Sequence, residues 1–166
     1  MDLDRLNRLD PDDAHTAFRD CCGSGAWAAA MTLQRPFASL AELLDTARSA
    51  WRSLDPADRE EAYAAHPRIG ASVPGDDRHH AWSRAEQGSV GEAPAGVLER
   101  LEECNREYEA KFGRVYLIFA TGSSAEELLA HCQARIDNDP ETEAAIAADE
   151  QEKITDLRLR RLVRID

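Results

Sequence analysis

Apolar residues recur along this chain at the three- and four-residue spacing of helices, and helix caps punctuate the runs they form. Asp10-Pro11-Asp12-Asp13 combines a capping carboxylate, a proline at the first helical position and acids in the first turn; Ala14, Ala17, Phe18 and Cys21 follow on one face until Gly23 ends the run. Ser39 and Glu42 have capping-box spacing ahead of Leu40, Leu43, Leu44, Ala47 and Trp51. Asp55-Pro56 starts a further short helix, and Val97, Leu101, Cys104 and Tyr108 make the next stripe. Ser124 with Glu127 opens the helix of Leu128, Leu129, Cys132 and Ile136, and Asp139-Pro140 begins a long last helix.

Strand signals are sparse. The chain has no Asn-Gly or Asp-Gly hairpin turn and no sustained alternation of apolar and polar residues. Its one apolar run of strand length, Val115-Tyr116-Leu117-Ile118-Phe119, has no evident partner, so it reads as extended or helical chain through the core. Two loop-like segments, Gly70 to Asp77 and Gly88 to Gly96, bracket a helical stretch from about Arg78 to Gln87. The pattern predicts an all-α fold: a single-domain helical bundle of about eight helices over residues 1–166, ending in a long C-terminal helix.

Charge narrows the partners. With 32 acidic and 20 basic side chains the chain carries a formal charge of -12, which repels nucleic acid and anionic membrane surfaces. A small anionic substrate would need a local basic group. No stretch approaches the roughly 20 apolar residues of a membrane span, and the start of the chain has no apolar segment behind a basic one, so a cytoplasmic protein is expected. The four cysteines, Cys21, Cys22, Cys104 and Cys132, include no CxxC pair and no local basic cluster, which favours buried free thiols.

Candidate chemistry gathers in the middle of the chain and near its end. His66 precedes Pro67, which pushes its backbone out of the helical region into a loop; a capping or polar loop histidine would look the same. On a helix over 78–87, Ser83, Glu86 and Gln87 share one side, with His79 one turn earlier. Ser83-x-x-Glu86 also has the form of a capping box, although Gly88 leaves such a helix little room. Arg158 lies among Ile154, Leu157 and Leu162, within the apolar face, where a guanidinium requires an anionic or acceptor partner or a snorkelling path to water. His79 and His80 point different ways on a helix, so no metal site is expected from them with His66 and Glu86. HExxH, P-loop, GxSxG and dinucleotide-binding glycine patterns are all absent.

Taken in order, these segments resemble the 2-oxo-4-hydroxy-4-carboxy-5-ureidoimidazoline (OHCU) decarboxylase family. His66-Pro67-Arg68-Ile69-Gly70 is similar to its histidine-proline motif, and Ser83-Arg84-Ala85-Glu86-Gln87-Gly88 to its Ser-x-x-Glu-Gln motif. Asn105-Arg106-Glu107-Tyr108-Glu109-Ala110-Lys111-Phe112-Gly113 is similar to the next signature; Phe119-Ala120-Thr121-Gly122, Asn138-Asp139-Pro140 and Leu157-Arg158-Leu159 continue the match. Ser123 departs from it, standing where many relatives carry a basic residue.

The resemblance implies an all-helical homodimer that converts the ureidoimidazoline to (S)-allantoin and carbon dioxide in urate breakdown, without a cofactor. It implies His66 and Glu86 as the catalytic pair, with Pro67, Ser83, Gln87, Arg158 and the backbone near Phe119 and Ala120 contacting substrate. Two other classes fit the same residues: a non-catalytic helical module that binds a ureide or a protein, and a hydrolase acting on a related ureide.

Overall fold

Nine helices make up the regular structure among the described residues, and no strand is found there. The structure is a computed structural model that describes residues 1–71, 78–88, 90 and 93–164. In chain order the helices are α1 (Leu3–Arg8), α2 (Pro11–Cys22), α3 (Gly25–Leu33), α4 (Leu40–Arg52), α5 (Pro56–Ala64), α6 (Arg78–Glu86), α7 (Ala95–Phe112), α8 (Ala125–Ile136) and α9 (Pro140–Leu162). The all-α expectation holds, and α9 is the long final helix. The two loop expectations fall in part on 72–77, 89 and 91–92, outside the described residues.

The predicted caps form. The Asp10 carboxylate accepts the backbone N–H groups of Asp12 and Asp13 at 3.1 and 2.9 Å, and these bonds hold it below the ordinary carboxylate pKa. Gly23 closes α2 at φ 88°, where a side chain would be strained. Ser124 and Glu127 form the reciprocal capping box: the Ser124 hydroxyl accepts Glu127 N–H at 3.2 Å, and the Glu127 carboxylate accepts Ser124 N–H at 2.8 Å. Ser124→Ala leaves the Glu127 N–H without its acceptor and should destabilise the protein by about 0.5–2 kcal/mol, read as a lower urea midpoint at unchanged slope.

The chain divides into two compact units. The first comprises Met1–Ala62 and Glu152–Asp166. Its core centres on Phe18, whose ring meets Trp27 and Phe37 edge to face at 6.1 and 6.3 Å, and the Trp27 indole N–H donates to Ala47 O at 3.0 Å. Helix α3 was not anticipated because its sequence, Gly25-Ala26-Trp27-Ala28-Ala29-Ala30-Met31-Thr32-Leu33, is apolar nearly all round and offers no periodic face. The six-residue α1 was too short to show a pattern.

The second unit, Tyr63–Gln151, packs Ile69, Leu101, Cys104, Tyr108, Tyr116, Leu128 and Cys132 into one cluster, with α7 against α8. The apolar run at 115–120 crosses this unit as neither helix nor strand. Side chains satisfy its buried backbone instead: Arg135 Nη1 donates to Leu117 O at 2.7 Å, and Phe119 N–H donates to the Glu150 carboxylate at 2.6 Å. Arg135 is held in turn by the fully buried Glu143 carboxylate, which also accepts the Tyr108 hydroxyl and, at 2.9 Å, Asn138 Nδ2. No described helix is long and apolar enough to cross a membrane.

Candidate active site

Pro67 prevents α5 from continuing, and the chain leaves it through a tight turn in which His66 N–H donates to Tyr63 O at 3.1 Å. The loop that follows is braced at three successive residues. Arg68 makes a bidentate pair with Glu109 on α7, at 2.6 and 2.8 Å. Ile69 O accepts Asn105 Nδ2 at 2.8 Å, also from α7. Gly70 N–H donates to Gln87 Oε1 at 3.0 Å. Gly70 sits at φ 81°, and an added Cβ would come within 3.3 Å of Leu101 Cδ2, so the turn admits only glycine comfortably.

These braces hold His66 in a buried position, 8% exposed. One ring nitrogen, Nε2, lies 3.0 Å from Oε1 of Gln151, a fully buried residue of α9. The ring of His79 packs edge to face against that of His66, with centroids 5.5 Å apart.

His79 belongs to α6, and the buried positions of that helix are His79, Ser83 and Glu86. Their spacing of four and three residues puts all three on one face, as the sequence predicted, so the carboxylate and the second imidazole share the side turned from solvent. Ser83 is interior to α6 and its hydroxyl donates to His79 O at 3.0 Å, which rules out the helix-start reading of Ser83-x-x-Glu86. Gln87 lies just past the helix with its carbonyl oxygen committed to Gly70; its amide NH₂ is the end suited to donate to a ligand.

Arg158 belongs to the first unit and is fully buried, so it does not snorkel to water. Its charge is felt by the Cys22 thiol, which burial nevertheless pushes up to about 12. Burial raises the Cys104 and Cys132 thiols too, and all four cysteines are free and buried, as expected of inert core thiols. Among the described residues no group of three or more His, Cys, Asp or Glu is arranged to hold a metal ion. Pro67 is partly buried, Ala120 is buried, and the N–H of the partly buried Phe119 is already occupied by Glu150.

Sequence reasoning missed Gln151 and the bracing roles of Asn105 and Glu109. A local signal for Gln151 existed. The buried residues Ala147, Gln151, Ile154 and Arg158 recur at helical spacing along α9, so the register that singled out Arg158 also places a polar amide on that apolar stripe. Asn105 and Glu109 carry no such signal, because their partners lie 36 and 41 residues away.

Compared with known proteins, residues 7–160 match the family model described as OHCU decarboxylase. The chain is 37% identical over 147 residues to the uric acid degradation bifunctional protein TTL of Arabidopsis thaliana, covering 86% of this chain and 45% of that protein. Over 164 residues it is 29% identical to the 2-oxo-4-hydroxy-4-carboxy-5-ureidoimidazoline decarboxylase of Haloferax volcanii, covering 96% of this chain and 94% of that one. An OHCU decarboxylase crystallised in the presence of (S)-allantoin aligns with a TM-score of 0.79 at 32% identity, covering 93% of this chain and 99% of that chain. The chain therefore spans under half of the bifunctional protein and nearly all of the other two.

Proposed function

We infer the chemistry of this site from one premise: the chain belongs to the OHCU decarboxylase family. The protein is a carboxy-lyase of urate catabolism that decarboxylates 2-oxo-4-hydroxy-4-carboxy-5-ureidoimidazoline to (S)-allantoin. The observation that carries this reading is the buried His66 imidazole, bonded to Gln151 and packed on His79, whose helix turns Ser83 and Glu86 to the same buried side.

The substrate supplies its own electron sink. Its carboxylate is attached to the hydroxyl-bearing ring carbon, next to a ring carbon doubly bonded to nitrogen. When the bond to the carboxylate breaks, carbon dioxide leaves, the electron pair joins the two ring carbons, and the former imine pair moves onto nitrogen, which takes up a proton. The hydroxyl then gives up its proton to become a carbonyl, and the neighbouring carbon gains a proton on one face. The net change replaces a carboxyl group by hydrogen. What remains for the protein is to orient the ring, stabilise the developing charge and move protons on one side.

In this reading His66 handles the proton on the hydroxyl and its delivery to the ring, and Glu86 orients that exchange. Ser83 and Gln87 hold polar edges of the ring and ureido group, Pro67 and the chain near Phe119 and Ala120 shape the pocket wall, and Arg158 pairs with the carboxylate. Its complete burial supports Arg158 in that role, because a guanidinium out of water calls for an anionic or acceptor partner. A guanidinium also meets the need of an anionic substrate on a chain whose net charge is -12. The family motifs run in order through both compact units, which supports reading 1–166 as one functional domain. A cytoplasmic homodimer acting without a cofactor, on the small molecule alone, completes the proposal.

The test is to follow freshly made substrate by circular dichroism at the allantoin band. The protein should produce an enantiomerically pure signal faster than the spontaneous racemic background. Binding without acceleration would reduce it to a ureide-binding module, and ring opening without loss of carbon dioxide would make it a hydrolase; either result sinks the proposal.

A further inference from the structure

We propose that Gln151 is a positioning residue that selects the tautomer of His66, so that Nε2 carries the proton and Nδ1 presents the lone pair. This rests on the reading of His66 as the proton-handling group.

The geometry leaves little choice. His66 Nε2 lies 3.0 Å from Oε1 of Gln151, and a carboxamide oxygen can only accept, so the nitrogen facing it donates. The hydrogen of the neutral ring is therefore on Nε2. Nδ1 is left as the base and, once protonated, as the acid. The other tautomer would set an unprotonated Nε2 against the amide oxygen, with no hydrogen between them. Gln151 is fully buried, so leaving the two groups mismatched would cost their desolvation without a hydrogen bond in return. The His79 ring, packed edge to face on His66 at 5.5 Å, adds a steric restraint on the same orientation.

The bond spans 85 residues in sequence, from the turn after α5 to the middle of α9. A long-range amide at this point serves an imidazole that must exchange a proton from one nitrogen only. The same atom then receives the hydroxyl proton and returns one to the ring, and that directionality is what a single-faced product requires. A carboxylate in place of the amide would stabilise the charged imidazolium and hold on to the proton; a neutral acceptor fixes the tautomer without that penalty.

The test uses the full-length, ¹⁵N-labelled protein and long-range ¹H–¹⁵N spectra, with the His66 ring assigned by its loss in His66→Asn. In the native protein neutral His66 should show a pyrrole-type, protonated Nε2 and a pyridine-type Nδ1. Gln151→Leu, which removes the acceptor and keeps similar bulk, should give a mixture of tautomers. It should also lower kcat by about 10- to 100-fold with KM little changed. Gln151→Glu restores an acceptor oxygen and should return neutral His66 to the single tautomer with Nε2 protonated, while kcat stays below native because the carboxylate holds the proton on the imidazolium; a merely space-filling role for Gln151 predicts neither. A native spectrum with the proton on Nδ1 overturns the proposal, as does a Gln151→Leu variant with unaltered tautomer and kcat. Should that variant fail to fold, the native spectrum decides alone. Because the spectrum reads the ring and not turnover, an inactive native protein counts against the decarboxylase reading and leaves the tautomer to be judged separately.

Discussion

His66→Asn is expected to lower kcat by about 10²- to 10⁴-fold, the range for loss of a positioned acid–base group, while helix content stays unchanged. Asparagine keeps a polar side chain near Gln151, so the amide is not left facing a void, but it cannot exchange a proton at neutral pH. The loop that carries residue 66 is held by Arg68, Ile69 and Gly70 through Glu109, Asn105 and Gln87, none of which depends on the imidazole. Loss of activity without loss of fold is therefore the signature of chemistry. Stopped-flow dichroism on the purified, folded variant gives the rate, and full activity there would remove His66 from the mechanism. Glu86→Gln should fall in the same direction, since an amide keeps the shape of the carboxylate but not its charge, and exchanges one acceptor oxygen for a donor.

Glu143→Ala is expected to cost about 3–5 kcal/mol of stability, the range for breaking a buried ion pair by removing one partner. For a chain of 166 residues that corresponds to a fall in Tm of about 6–20 °C, measurable by calorimetry. The reason is the company the carboxylate keeps. Arg135, Tyr108 and Asn138 all donate to it, and Arg135 is itself buried, with its guanidinium over the Tyr116 ring at 5.0 Å. Without Glu143 that guanidinium remains out of water with its charge uncompensated. The paired change Glu143→Leu with Arg135→Leu should therefore be less damaging than Glu143→Leu alone. A Tm within about 2 °C of the native value in Glu143→Ala would show that water or a neighbour replaces the carboxylate. Tyr108 stays a donor throughout: burial and the adjacent carboxylate both hold its hydroxyl above the usual phenol range.

The two predictions separate the parts of the molecule that do chemistry from those that keep the site in shape. Arg135 also donates to Leu117 O and so fixes the course of the 115–120 segment, next to the backbone proposed to contact substrate. Variants that loosen this network should lose activity only as far as they unfold or shift that segment. His66 variants should lose it outright.

Local punctuation made much of the helical order legible. Asp10-Pro11, Ser39, Asp55-Pro56, Ser124 and Asp139-Pro140 announce α2, α4, α5, α8 and α9, because a cap and its first turn lie within four residues of each other. That His79, Ser83 and Glu86 share one face of α6 also follows from spacing alone; that this face is buried is seen only in the structure. Helix α3 escaped notice because an apolar, alanine-rich segment has no contrast between faces, and 115–119 stayed ambiguous because five apolar residues suit several conformations.

The sequence by itself determined the helical class and the starts of α2, α4, α5, α8 and α9, and singled out His66, Ser83, Glu86 and Arg158 as candidates, all from spacing, caps and motif order within short windows. Only the tertiary structure decided that Gln151 meets His66, that Asn105, Glu109 and Gln87 brace the loop after it, and that the 115–120 backbone is satisfied by Arg135 and Glu150. The physical reason is range. A cap joins neighbours and leaves a local pattern, whereas a hydrogen bond between residues 17 to 85 positions apart is specified by how helices pack, and no window of the chain contains both its ends.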